Sequence, residues 1–174
     1  ESGHKAVQHF LDEQHRRGGV RATARIKAKN RFTCQWHIPE KSPSVELIIP
    51  TRDQAEVLNL AVDSIITKTT YTNYTITVVD NQSEEVATKN LFKNLKRVHG
   101  EKINIIKYNK KFNYSAINNY AVRKSTADIV VLVNNDVEVI SSKWLQEIVS
   151  HTSRPDVGCV GAKLYYSNGT IQHG

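Results

Sequence analysis

Short β-prone runs alternate with helical periodicity from Val45 onward, and this alternation limits the folds open to the chain more than any other feature. Val45-Glu-Leu-Ile-Ile-Pro50 reads as a short buried strand broken by a proline. The helical segment after it places Val57, Leu58, Leu60, Ala61, Ile65 and Ile66 among its apolar positions. Residues 74–79 form a second strand. Residues 84–95 read as a helix with Val86, Leu91, Phe92 and Leu95 expected inward. A third strand covers Ile103–Lys107, and Phe112-Asn-Tyr-Ser115 opens a helix through about Ser125. Residues 128–133 are a fourth, buried strand. Residues 142–152 are a helix carrying Trp144, Leu145, Ile148 and Val149, and residues 157–164 are a last strand. Asn168-Gly169 then signals a hairpin turn. The resulting β-α-β-α-β-α-β-α-β order predicts the α/β class, with a Rossmann-like, mostly parallel sheet and helices on both faces.

The head of the chain is different. Residues 4–17 form an amphipathic helix with Val7, Phe10, Leu11 and Gln14 at helical spacing, stopped by Gly18-Gly19. Residues 20–26 and 31–38 are two short strands joined by the polar turn 27–30. Pro39 and Pro43 bracket Glu-Lys-Ser, which is linker chemistry. A boundary is expected there, between a helix-plus-hairpin head (1–38) and the body (39–174). Charge follows the same division. Of the net +7, residues 1–43 contribute nine Lys and Arg against four acids. Such a head suits an anionic membrane surface, an acidic neighbouring domain or plain solvation, and the three readings stay open. No helix-turn-helix, zinc finger or aromatic RNA-binding signature accompanies the charge, so nucleic acid is not expected.

No apolar run approaches membrane-spanning length. The chain has no Met, and it reads as a piece of something longer. Cys34 and Cys159 are far apart and are expected as free thiols. The seven histidines are scattered without a zinc-ligand spacing.

In a parallel α/β sheet, ligands bind beyond the carboxyl ends of the strands. Four polar clusters are expected there: Thr51-Arg52-Asp53, Asp80-Asn81, Asn113 to Asn119, and Asn134-Asn135-Asp136. Local roles also exist for them. Thr51 and Ser83 suit helix N-caps, Asp80 suits an Asx-turn, and Arg52 suits a pair with Asp53 or Asp80. Asn134 and Asp136 offer oxygens suited to Mg²⁺ or Mn²⁺. A single carboxylate makes a weak site alone, so a bound diphosphate is expected to complete the shell. The Gly-rich dinucleotide and P-loop fingerprints and the Gly-x-Ser-x-Gly elbow are absent. A dehydrogenase is excluded on that ground. A receiver domain is excluded because Pro50-Thr51-Arg52 stands where it needs an acidic pair.

These runs, in order, resemble a family 2 glycosyltransferase. They are Val45-Glu-Leu-Ile-Ile-Pro-Thr-Arg-Asp, Val78-Val-Asp-Asn-Gln-Ser, Phe112-Asn-Tyr-Ser-Ala-Ile-Asn-Asn, Leu132-Val-Asn-Asn-Asp-Val-Glu-Val and Val160-Gly-Ala-Lys-Leu-Tyr-Tyr-Ser-Asn-Gly. The resemblance covers about residues 39–174 and is nearest the rhamnosyltransferase-like bacterial branch that builds O-antigen and other surface polysaccharides. It implies the donor-binding half of a GT-A fold, taking a UDP-, dTDP- or GDP-sugar with Mn²⁺ or Mg²⁺. It places Pro50, Thr51 and Arg52 at the nucleoside and Asp80 at the base or ribose. Asn134 and Asp136 fall on the metal- and diphosphate-binding Asp-x-Asp motif, with Asn135 between them. Asn118 and Arg123 fall on a helix lining the donor side. Asn134 departs from the motif's first Asp, which lowers the expected metal affinity without nucleotide.

The implied reaction is inverting transfer to a hydroxyl of a glycan or lipid-linked acceptor, in the cytoplasm or at the inner face of the cell membrane. The catalytic base is expected beyond Gly174, so residues 1–174 alone are expected to bind donor weakly and to transfer poorly. The alternative is a non-catalytic nucleotide-binding or interaction domain.

Overall fold

The computed structural model describes residues 2–29 and 31–174, which fall into two compact units. One takes the segment ending at Ser42 together with Trp144–Gly174, and the other is Pro43–Lys143. The first cut falls inside the Pro39–Pro43 segment.

In the first unit, helix α1 (Ser2–Arg16) packs on strand β1 (Ala22–Ala28), which pairs antiparallel with β2 (Arg31–Trp36). Leu11, Ala22 and Ala24 form its buried centre, flanked by Val7 and Trp36. Small residues on β1 let the helix come close enough for its side chains to reach strand backbone. Gln8 donates Nε2–H to Ala22 O and accepts from Ala24 N at 2.8 Å, and His4 Nε2 lies 2.9 Å from Ala24 O. These contacts satisfy groups on β1 that its one partner strand leaves free. Phe10, expected inward, is 59% exposed, because the buried stripe runs through Val7 and Leu11 and Phe10 lies on its flank. Of the expected turn 27–30, Asn30 lies outside the described residues. Helix α5 (Trp144–Thr152) touches β2, and the Arg154 guanidinium sits 4.2 Å from the Trp36 ring centroid. The strand expected at 157–164 does not form. Gly158 and Gly161 interrupt it, and glycine weakens a strand that has no neighbour to pack against. Instead β7 (Leu164–Tyr165) and β8 (Ile171–His173) form a small hairpin. Its turn holds Gly169 at φ 82°, and Asn168 accepts from Thr170 N at 3.0 Å.

The second unit is built on a four-stranded parallel sheet of order β5-β4-β3-β6. Its strands are β3 (Val45–Thr51), β4 (Tyr74–Asp80), β5 (Ile103–Lys107) and β6 (Ile129–Leu132). Helices α2 (Ala55–Lys68), α3 (Val86–His99) and α4 (Tyr114–Val122) make the crossovers. The chain steps outward from β3 to β4 to β5, then returns across β3 to β6. Right-handed crossovers therefore place α2 and α3 on one face and α4 on the other. Accordingly α2 touches α3, while Ile117 and Ala121 of α4 pack on Ile48 and Val79. Leu47, Ile48, Ile49, Ile76 and Val78 are fully buried, as strands covered on both faces require.

Three local expectations change. Helix α3 starts at Val86, and its buried residues Thr88, Phe92 and Leu95 define a face from which Val86 points away, 73% exposed. Helix α4 is shorter than the expected 112–125. Asn113 caps it, its Oδ1 accepting from Ala116 N at 2.9 Å. Strand β6 is an edge strand whose Val130 and Leu132 stay exposed, not a buried one.

The register creates the gap in which the site lies. Strand β3 pairs with β4 along its whole length, from Val45↔Tyr74 to Thr51↔Asp80, but with β6 only from Val45↔Ile129 to Ile48↔Leu132. The last rung on that side is Val133 N donating to Ile48 O at 2.9 Å. Alternate residues of a strand face the same neighbour, so Pro50, two beyond Ile48, would have turned its N–H toward β6. Proline has no N–H, and β6 has already ended there. The ladder therefore stops without an unpaired donor.

Ile48 is the point where β3 meets α4. Ile48→Ala is expected to destabilise the chain by about 2–5 kcal/mol, measured by chemical denaturation.

Candidate functional site

Beyond Ile48, β3 and the chain after β6 diverge and enclose a cleft of about 230 Å³. This is the switch point of the sheet, where successive crossovers leave in opposite directions. Its floor is the end of β3, Pro50-Thr51-Arg52, faced by Asn134 and Asn135. Asn135 Nδ2 donates to Thr51 Oγ1 at 3.2 Å and ties the two sides together. The start of α4 supplies an apolar wall of Phe112, Tyr114 and Ile117, and Asn81 enters from the end of β4.

A hydrogen-bonded clasp holds the strand-end loops. Asp80 Oδ1 accepts from Ser83 N at 2.8 Å, which is the expected Asx-turn. Ser83 Oγ accepts from Asp53 N at 2.9 Å. Asp53 Oδ1 accepts from both Glu84 N and Glu85 N, at 2.8 and 2.9 Å. Thr51 and Ser83 are thus not N-caps. Gln54 and Glu85 occupy those positions, and neither caps with its side chain. Asp53, Gln54 and Gln82 all have positive φ. That conformation costs about 1–2 kcal/mol for a residue with a Cβ, and the clasp offsets it. Arg52 is 54% exposed and pairs loosely with Glu84 at 3.5 Å and Asp53 at 4.0 Å, not with Asp80. Its guanidinium stays available at the rim.

The fold brings Pro50, Thr51, Arg52, Asn134 and Asn135 together around the cleft. Asp80 lies beside Thr51 in the register, but it is buried and turned to Ser83. Asn118 is buried on α4, and its Nδ2 donates to Tyr114 O at 2.9 Å. Arg123 is the exposed C-cap of α4, at the opposite end from the cleft, and is not part of it. Asp136 stands exposed in the turn just after Asn135. Asn81 comes from the expected Asp80-Asn81 cluster, and Tyr114 and Ile117 from the Asn113 to Asn119 stretch, but the sequence assigns them no specific role, and Phe112 lies outside the expected clusters. Two exposed aromatics flanking the Asn113 cap were the available signal for part of this wall.

Among the described residues, no group of three or more His, Cys, Asp or Glu stands ready to hold a metal ion. The donor set at the end of β6 is one carboxylate, Asp136, and one amide oxygen, Asn134. It fits a hard divalent cation only as part of a shell, with the remaining oxygens coming from a ligand. A larger depression of about 390 Å³ lies at the amino ends of the strands, around Glu46, Asn73, Asn104 and Lys124. No strand delivers its carboxyl end there, so the smaller cleft is the candidate site.

The family model for glycosyl transferase family 2 matches residues 46–173. The chain belongs to that family. It is 32% identical over 172 residues to the O-antigen biosynthesis protein RfbC of Myxococcus xanthus, covering 99% of this chain and 13% of that protein. It is 48% identical over 134 residues to the uncharacterized protein y4gI of Sinorhizobium fredii, covering 77% of this chain and 15% of that protein. The chain thus spans about one seventh of the length of these two relatives. The fold matches the Pyrobaculum calidifontis mannosyltransferase PcManGT, solved in complex with GDP-Man and Mn²⁺. That match has a TM-score of 0.63 at 19% identity and covers 92% of this chain and 45% of that one. The α/β fold is therefore of the GT-A kind that the sequence resemblance implied.

The clasp makes a prediction. Asp53→Ala removes the acceptor shared by two backbone amides. Hydrogen exchange at Glu84 and Glu85 is expected to accelerate at least tenfold, consistent with a loss of about 1–3 kcal/mol, while the amides of β3 stay protected.

Proposed function

We propose that this chain binds the nucleotide-diphosphate sugar donor of an inverting glycosyltransferase in surface polysaccharide synthesis. The observation that carries the reading is the convergence of Thr51-Arg52 with Asn134-Asn135 on one cleft at the switch point, inside a family 2 domain. The apolar wall of Phe112, Tyr114 and Ile117 suits the flat faces of a nucleoside. Asn134 and Asp136 suit the diphosphate end, where they would hold Mn²⁺ or Mg²⁺ against its oxygens. The ion, when bound, supplies positive charge against the departing diphosphate. Arg52 at the rim adds a fixed cation for the phosphates. The Asn135–Thr51 hydrogen bond keeps the two sides of the cleft at a set spacing, so the donor is oriented without a Gly-rich loop.

The acceptor is a hydroxyl of a glycan or of a lipid-linked sugar. None of the residues lining the cleft is an Asp, Glu or His. We assign the base that takes the acceptor proton to a part of the protein outside this cleft, in keeping with relatives about seven times as long as the chain. Among the described residues no helix is long and apolar enough to cross a membrane. The reading places the domain in the cytoplasm, with the basic head available to the inner membrane surface or to a neighbouring domain.

Titration calorimetry with UDP, dTDP and GDP, with and without Mn²⁺, tests the reading. At least one nucleotide is expected to bind tenfold or more tightly with Mn²⁺. Asp136→Ala is expected to remove that dependence at an unchanged melting temperature. An affinity unaffected by the substitution would take Asp136 out of the metal site.

A further inference from the structure

We infer that Ser64 is a positioning residue for Asp136. Its buried hydroxyl moors the strap of residues 137–142 on α2, and so sets where the turn at residues 134–136 presents its oxygens to a divalent ion. The inference rests on the reading of Asp136 as a ligand of the donor-bound metal.

Ser64 lies inside α2 and is buried with Leu58, Ala61, Val62 and Ile65. The helix itself gives no reason for a serine there, since alanine is the better residue in a helix interior. A hydroxyl has one proton and two lone pairs. Oγ donates its proton to Ala61 O at 2.9 Å, a bond internal to the helix. It accepts from Val139 N at 3.1 Å, across 75 residues of chain. Val139 is buried as well, so its N–H has no water to turn to when the hydroxyl is removed. A buried N–H left unpaired is costly, and the strap would have to shift to satisfy it.

The strap meets α2 and the residues after it twice more. Lys68 Nζ donates to Glu138 Oε1 at 2.7 Å, but both side chains are exposed and such a pair contributes little. Thr70 donates its N–H and its Oγ1–H to Ser142 O, at 3.0 and 2.8 Å. On the other side of the turn, Val133 N donates to Ile48 O at 2.9 Å. Asp136 thus sits midway between two amides, Val133 and Val139, that are held by the buried residues Ile48 and Ser64. Ser64 does not line the cleft, so its effect on a ligand runs through the turn. One carboxylate and one amide oxygen are a sparse donor set, and Mg²⁺ demands near-ideal octahedral geometry of its ligands. A turn loose at its second end would have to be ordered as ion and diphosphate arrive, which weakens binding. With Val139 moored on Ser64, that ordering is completed when the chain folds.

Ser64→Ala in the 174-residue chain tests this, by calorimetry with UDP, dTDP and GDP, each with and without Mn²⁺. For a nucleotide that the parent binds, affinity with Mn²⁺ is expected to fall about fivefold or more, and hydrogen exchange at Val139 to accelerate by a similar factor. Affinity without Mn²⁺ is expected to change less than about twofold. Added to Asp136→Ala, the same substitution is expected to change affinity less than about twofold, because a residue acting through Asp136 then has nothing left to position. Ser64→Thr keeps the acceptor and is expected to keep the parent's Mn²⁺ dependence. Unchanged exchange at Val139, or unchanged Mn²⁺ dependence where the parent shows one, would overturn the role of Ser64 and leave the metal reading intact. An equal loss with and without Mn²⁺, or an equal loss in the Asp136→Ala background, would overturn it too, since a residue that only supports the fold behaves in that way. So would a Ser64→Thr protein that loses the dependence at an unchanged melting temperature. A parent that binds no nucleotide, or binds without regard to Mn²⁺, would overturn the metal reading and this inference with it.

Discussion

Everything in the sheet unit depends on the unequal pairing of β3. On one side it is hydrogen-bonded through Thr51, and on the other the ladder ends at Ile48. A strand paired to the end on both sides would leave no opening, and a strand unpaired on one side would not be buried. The half-open arrangement gives a rigid floor with one free margin. Pro50 belongs to that margin, since it removes the N–H that would otherwise point into the gap.

Rigidity then passes from backbone to loops through a few side chains whose roles are local. Asp53 gathers two amides from the start of α3, Ser83 accepts from Asp53, and Asp80 closes the turn between them. None of these three lines the cleft. They hold strained backbone at Asp53, Gln54 and Gln82 so that Thr51, Arg52 and Asn81 are presented at fixed places. The division is between residues that shape the loops and residues that line the cleft. Asp80 falls in the first class and its neighbour Asn81 in the second.

The head shows the same economy at smaller scale. A two-stranded ribbon is marginal alone. Here α1 covers one of its faces with Leu11 and Val7, and Gln8 bonds to its backbone. Phe10 is left outside because a stripe one helix face wide is enough for two short strands of small residues.

The sequence by itself determined the element order from Val45 to the helix at Trp144–Thr152, the parallel α/β class and the polar strand ends, because periodicity and β-propensity are local and each βα unit repeats them. It also determined the hairpin at Asn168-Gly169, since a positive φ at glycine is a local preference. Its motifs carried the family, which the match over residues 46–173 then showed. Tertiary structure decided what depends on a neighbour. Residues 157–163 have strand-like composition but no strand, because a strand needs a partner ladder. Val86 and Phe10 turned outward because burial depends on which face meets another element, not on hydrophobicity alone. Arg123 left the candidate site because nine residues of helix carry its end away from the strand termini. Asn81 was a strand-end candidate in the sequence, but how its amide is held is decided by the carbonyls of Tyr108 and Lys110, 27 and 29 residues further along the chain. A hydrogen bond over that separation is set by the sheet register, and no local pattern records it.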